Sequence, residues 1–287
     1  MAITAEQVKT LRDQTGAGMM ECKKALTEAE GDLDAATTIL RKRGLAQAAK
    51  RAGRSTNEGL VGVRVLDGGK SGVIAEVNCE SDFVARTDAF QALVGEVLDT
   101  IATGSGDPQA LVAPESPIGQ KLTATIAKTG ENMAIPRVAR LDGNGGLVGS
   151  YSHLGGKIGV LVEVAGVPAG KESSEEVATL VKELAMHIAA AAPGYPTRDV
   201  VPADLVEKEK AVYRGQMENS GKPANVIEKI IEGKLGSFYS QVVLPDQPTI
   251  RDPKVSVQQL LASTAKSLGA STLSVPRFVR FKVGESA

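Results

Sequence analysis

GLVGVRVLDGGKSGVIAEVN, residues 59–78, occurs a second time as GLVGSYSHLGGKIGVLVEVA, residues 146–165, with eleven of the twenty positions identical and no gap. In each copy a glycine pair, Gly68-Gly69 or Gly155-Gly156, lies between apolar runs. That is the pattern of a β-hairpin, whose tight turn favours glycine. At the same spacing, Phe90, Leu93, Val94, Val97 and Ile101 answer to Val177, Leu180, Val181, Leu184 and Ile188, two sets with helical periodicity. The copies also end alike. MAIPRVARLDG (133–143) and LSVPRFVRFKVG (273–284) each carry Pro-Arg followed by alternating residues and read as closing strands. Helical segments ending in IAKTG (126–130) and TAKSLG (264–269) precede them. The repeat predicts a duplicated α+β core: two small antiparallel sheets, each backed by helices.

Upstream of the repeat, residues 4–54 read as three short helices. Thr4 and Gln7 form a capping box, and Val8 and Leu11 give the first helix its apolar face. Thr15-Gly16-Ala17-Gly18 ends it. The second helix runs from about Met19 to Ala29, with Cys22, Ala25, Leu26 and Ala29 as its buried stripe. Leu33, Ala36, Ile39 and Leu40 line the third. Met19 and Met20 are adjacent and cannot share a helix face. One is expected in the core and the other at the surface, where a flexible thioether suits a binding patch. Residues 41–54 carry six basic side chains and no acidic one, read either as a solvated connecting helix or as an RNA contact.

Within the second copy, residues 203–219 and 224–239 form two helical stretches around Ser220-Gly221-Lys222-Pro223. Leu205, Val206, Val212, Tyr213 and Met217 are expected to face Val226, Ile227, Ile230, Ile231, Leu235 and Phe238 in an antiparallel arm. Such an arm has little core of its own and suits docking on a partner or on a second copy of the chain. The expected division is 1–54, 55–143 and 144–287, with the arm inserted at about 202–240.

The bulk properties narrow the classes. The chain has 287 residues, enough for two or three domains, and a net charge of −1, which gives no global field for nucleic acid. No apolar run is long enough to cross a bilayer and the N-terminus lacks a signal pattern, so no membrane partner is expected. Two cysteines, Cys22 and Cys79, make no disulfide framework; a reducing, cytoplasmic setting fits.

No chemistry converges. Gly69-Lys70-Ser71 resembles the tail of a phosphate-binding loop, but Arg64 stands where that motif needs a glycine. His153 and His187 have no metal-ligand spacing. His187 reads as a packed helix residue and His153 as an exposed residue near the second hairpin's tip. No catalytic group, metal or cofactor is expected.

Glu76-Val77-Asn78-Cys79-Glu80-Ser81-Asp82-Phe83-Val84-Ala85-Arg86 leads from the first hairpin into a helix that Ser81 or Asp82 can cap. Phe83 is either buried beneath this turn or presented to a partner. The segment is similar to the Thr-Asp-Phe-Val signature of the elongation factor Ts family, with Ser81 for the threonine. LRDQTGAGMMECKKAL (11–26) resembles the family's other signature, and YSH (151–153), AMHIAA (185–190), the arm and SGKP (220–223) are also similar to family sequence. The departures are Ser81, an extra residue around Leu154-Gly155-Gly156, and a long linker at 103–116. The resemblance implies a ubiquitin-associated-like N-terminal domain, the duplicated core and the inserted arm. It also implies a nucleotide-exchange factor, not an enzyme, that binds elongation factor Tu. Ser81, Asp82, Phe83 and Val84 would then disturb the partner's magnesium and phosphate-binding loop, with Asp82 and Phe83 entering between two partner helices. Leu11, Arg12, Met19, Met20 and His153 would dock. Direct nucleic-acid binding is not expected.

Overall fold

A computed structural model describes residues 3–104, 107–217 and 222–285. Helices α1 (Ala5–Thr15), α2 (Met19–Glu28) and α3 (Leu33–Arg51) pack around Val8, Leu11, Cys22, Ala25, Leu26 and Ala36. The Thr4–Gln7 capping box is formed, and Gly16 closes α1 in the left-handed conformation. The third helix is not short. It runs on through the basic stretch for 19 residues and packs against α7 (Pro117–Thr129), where a Cβ on Gly44 would lie 3.6 Å from the Ala127 Cβ. The bundle is thus tied to the first module by the far end of this helix. Arg43 pairs with Glu28, Arg54 with Glu80, and Arg51 donates to Gln47, so three of the six basic groups serve contacts within the chain.

Two three-stranded antiparallel sheets follow, ordered β1-β2-β3 (Glu58–Leu66, Ser71–Cys79, Met133–Asp142) and β4-β5-β6 (Leu147–His153, Ile158–Ala165, Ser274–Lys282). The fold is α+β. Short helices α4 (Asp82–Ala85) and α6 (Pro108–Leu111), with α6 in the long linker, and the longer α5 (Asp88–Thr103) and α7 belong to the first sheet. Helices α8 (Glu175–Ala191) and α11 (Val257–Leu268) back the second. The expected helical stripes are buried: Phe90, Leu93, Val94, Val97 and Ile101 in α5, and Val177, Leu180, Val181, Leu184 and Ile188 in α8. Gly62 and Gly149 occupy equivalent places where a Cβ would meet Val94 at 2.6 Å and Val181 at 2.0 Å. Only glycine lets each helix approach its sheet so closely.

The sheets also pack on each other through Val61, Ile74, Leu141, Val148 and Leu161. The Val61 amide donates to the Gly156 carbonyl and the Val148 amide to the Gly69 carbonyl, each at 2.7 Å. These bonds are related by the repeat, as in a two-fold dimer. Two buried ion pairs follow the same symmetry. Glu76 accepts from Arg137 Nε (2.8 Å) and from the Gly284 amide (2.9 Å), and Arg137 also donates to the Lys282 carbonyl (3.0 Å). Glu163 accepts from Arg277 Nε (2.9 Å) and from the Asn144 amide (2.9 Å), and Arg277 donates to the Asp142 carbonyl. Each ion pair is thereby tied to the closing strand of the other half and the residues just after it. A buried carboxylate needs such complete pairing.

The arm consists of α9 (Ala203–Met217) and α10 (Ala224–Val242), packed through Ile231, Leu235, Phe238, Leu205, Val206 and Tyr213. Val212 and Val226, expected inside it, point outward because they lie off that shared stripe. Ser220 and Gly221 of the expected turn lie outside the described residues. Among the described residues no helix is long and apolar enough to cross a membrane.

Candidate functional site

Strand β2 ends at Cys79, and the next residues turn immediately into α4. Ser81 has extended backbone and caps this single helical turn, its hydroxyl accepting from the Val84 amide (3.4 Å). Asp82 follows and pairs with Arg86 at 2.7 Å. Residues two apart on a helix point to opposite sides. Ala85 faces the first core and is buried, Val84 packs at its edge, and Phe83 projects with 79% of its surface exposed. Phe90, one element further on, takes the aromatic position in the core. The reading in which Phe83 lies beneath the turn is overturned.

The segment is tied down from the α7–β3 connection. Glu131 accepts from the Ser81 amide (3.0 Å) and from the Ser81 hydroxyl (2.6 Å). Glu80 accepts from the Asn132 amide (2.6 Å), which holds its carboxyl below the ordinary glutamate range. Asn132 in turn donates to the Arg54 carbonyl (2.8 Å) at the end of the helical bundle. The Cys79 thiol is buried and donates to the Ser81 carbonyl; desolvation, with the charge of Glu131 nearby, pushes its pKa up to about 11. It is an inert packing group.

The remaining expected site residues fall into two other places. Met19 and Met20 open α2 and both are exposed, at 52% and 63%, which corrects the expectation that one is core. The buried stripe of α2 begins only at Cys22, so its first turn stays outside the bundle. Arg12 is exposed on α1. Leu11, expected on the docking surface, is instead fully buried in the bundle core, because its place on α1's apolar stripe turns it inward. His153 lies at the end of β4, exposed, with Nδ1 2.9 Å from the Tyr151 hydroxyl and the two rings stacked. Beside it Leu154 is exposed and left-handed, with φ 51°.

His187, by contrast, is packed as expected. It is buried and bonded to Gln247 at 2.8 Å, and desolvation lowers its pKa below the usual imidazole value. It borders a cleft of about 580 Å³ between α8 and α11 that includes no residue of segment 80–86. Among the described residues no three His, Cys, Asp or Glu side chains are placed to hold a metal ion.

Sequence reasoning did not find Glu131, Asn132 or the Glu76–Arg137 and Glu163–Arg277 pairs. The signal available was the repeated glutamate and the repeated Pro-Arg, whose pairing only the fold reveals.

An aromatic side chain, a pair of thioethers and an imidazole thus stand exposed on packed elements. Comparison with known proteins gives the family. The sequence model of the family described as Elongation factor TS matches residues 80–285. Elongation factor Ts of Trichlorobacter lovleyi is 45% identical, covering 99% of this chain and 94% of its own. The protein of the same name from Nitratidesulfovibrio vulgaris strain DP4 is 44% identical over 100% of this chain and 98% of its own. That of Clostridium botulinum is 44% identical, over 99% and 93%. The chain belongs to the elongation factor Ts family, a family of translation elongation factors.

Proposed function

We propose that the chain is a guanine-nucleotide exchange factor, which binds elongation factor Tu and promotes GDP release during translation elongation in the cytoplasm. The observation that carries this reading is Phe83, 79% exposed on a turn that Glu131 fixes, in a member of this family. In this reading Asp82 and Phe83 enter between two helices of the GTPase domain, and Ser81 and Val84 frame them. Burying an exposed phenylalanine there supplies about 2–3 kcal/mol, enough to favour an alternative packing of those helices when the two arrangements are close in energy. The move dislocates the magnesium ion and the phosphate-binding loop, and the nucleotide loses its counter-charge. No bond is made or broken, so no catalytic side chain or cofactor is needed. Whatever weakens the nucleotide is itself weakened by the nucleotide, which makes the factor recyclable.

The docking role falls to residues 1–54, through Arg12, Met19 and Met20, and to His153 of the second half. Leu11 contributes by holding the bundle together. The first core module, 55–143, carries the wedge. The second, 144–287, carries His153 and the arm at about 202–240, whose exposed Val212 and Val226 suit contact with the partner or a second copy.

The test is release of a fluorescent GDP analogue from elongation factor Tu, with wild-type protein and with Phe83→Ala. Wild type is expected to accelerate release. The variant, folded as before, is expected to be more than tenfold slower, about 1.4 kcal/mol or more in the barrier. No acceleration by folded wild-type protein would remove the reading.

A further inference from the structure

We propose that Glu131 is a positioning residue for exchange: it locks Ser81 so that Phe83 is presented in one place before the partner arrives. The proposal rests on the exchange-factor reading of the same wedge. Ser81 caps α4 only while its hydroxyl oxygen accepts from the Val84 amide. A hydroxyl can rotate, and its own proton needs a destination that leaves that oxygen free. Glu131 supplies it. Its carboxylate takes the Ser81 hydroxyl proton at 2.6 Å and the Ser81 amide proton at 3.0 Å, two donors that a two-oxygen acceptor satisfies together. The Ser81 carbonyl is held as well, by the Cys79 thiol (3.1 Å) and the Ala85 amide (3.3 Å). Every polar group of Ser81 is therefore fixed.

The loop that carries Glu131 is itself anchored. Gly130 ends α7 in the left-handed conformation, with φ 80°, and Asn132 is bonded both to Glu80 and to Arg54. A side chain aimed by a fixed turn loses less freedom when it is buried in a partner.

The repeat shows that the fold does not require this contact. In the second half Pro168 stands at the place of Ser81, and Ser271 at the place of Glu131. That half closes its sheet and backs it with helices without either group. The carboxylate occurs only in the half that bears the exposed phenylalanine.

A double-mutant cycle in the GDP-release assay tests the role. With Phe83 present, Glu131→Ala is expected to lower the exchange rate about fivefold; in the Phe83→Ala background the same change is expected to cost less than about twofold, because there is no wedge left to position. Glu131→Gln keeps one acceptor and is expected to fall between wild type and Glu131→Ala, and it serves as the test variant if the alanine form does not fold. Equal losses in both backgrounds would overturn the proposal and make Glu131 a contact of its own. No loss in either background would also overturn it. A Phe83→Ala variant as active as wild type would remove the wedge reading and this role together, an outcome separate from additivity in the cycle.

Discussion

After β2 the chain passes from Cys79 through Ser81 into α4 and exposes Phe83 within four residues. After β5, at the equivalent point, it crosses a stretch without helix from Gly166 to Ser174 before α8 begins. The two halves share hairpin, packing glycines, helical stripe and buried ion pair. They differ in the connections, where the first half has a wedge and the second has an exposed histidine and leucine at its hairpin tip and an insertion between helices at about 202–240. Positions that hold the sheets together are common to both copies. Positions that face outward have been free to diverge, because altering them leaves the core intact.

The sharpest way to break the equivalence is to remove the charge from each half in turn. Glu76→Ala strands Arg137, whose side chain is largely covered, and is expected to cost about 3–5 kcal/mol in denaturant unfolding. Glu163→Ala leaves Arg277, whose side chain is 43% exposed and can turn to water, and is expected to cost less. A large difference between the two would show that the symmetry of bonds is not a symmetry of energy. Smaller effects should separate the roles of the halves. His153→Ala removes a group at the exposed end of β4 and is expected to weaken complex affinity by roughly 1 kcal/mol, without changing the release rate at saturating protein. Calorimetric titration beside the release assay would read both; a change confined to the maximal rate would assign His153 to the trigger instead.

The smallest difference is titratable. His187 is buried in α8, and the equivalent residue in α5 is Thr100. The folded imidazole has its pKa depressed below 6.5 by desolvation, so below pH 6.5 the unfolded chain binds more protons than the folded one. His187 therefore contributes stability that is fully present above pH 6.5 and is lost as pH falls through its folded pKa. Thermal unfolding from pH 7.5 to 5 should fall less steeply for His187→Thr than for wild type. Parallel curves would remove the assignment.

What the sequence made legible was local or repeated. The capping box of Thr4, the stripe of Cys22, Ala25 and Leu26, both hairpins and both backing helices follow from spacing alone. The orientation of Phe83, the exposure of both Met19 and Met20 and the inward turn of Leu11 did not, because each depends on which neighbours cover an element. The 19-residue length of α3 was hidden by its change from an apolar stripe to a basic one. The interlocked carboxylates were out of reach for another reason: Glu131 and Ser81 are 50 positions apart, and no periodicity connects them.

The ion pair of the first sheet joins residues still further apart. The amide that completes Glu76 belongs to Gly284, 208 positions downstream. On a ribosome adding about 5–20 residues per second, that interval is roughly ten to forty seconds. Throughout it the first hairpin stands with its glutamate only partly satisfied and its outer face bare. The half that carries the wedge is thus the first to be made and the last to be sealed, and a nascent chain carries an uncovered sheet face in need of protection until the second half emerges to pack on it.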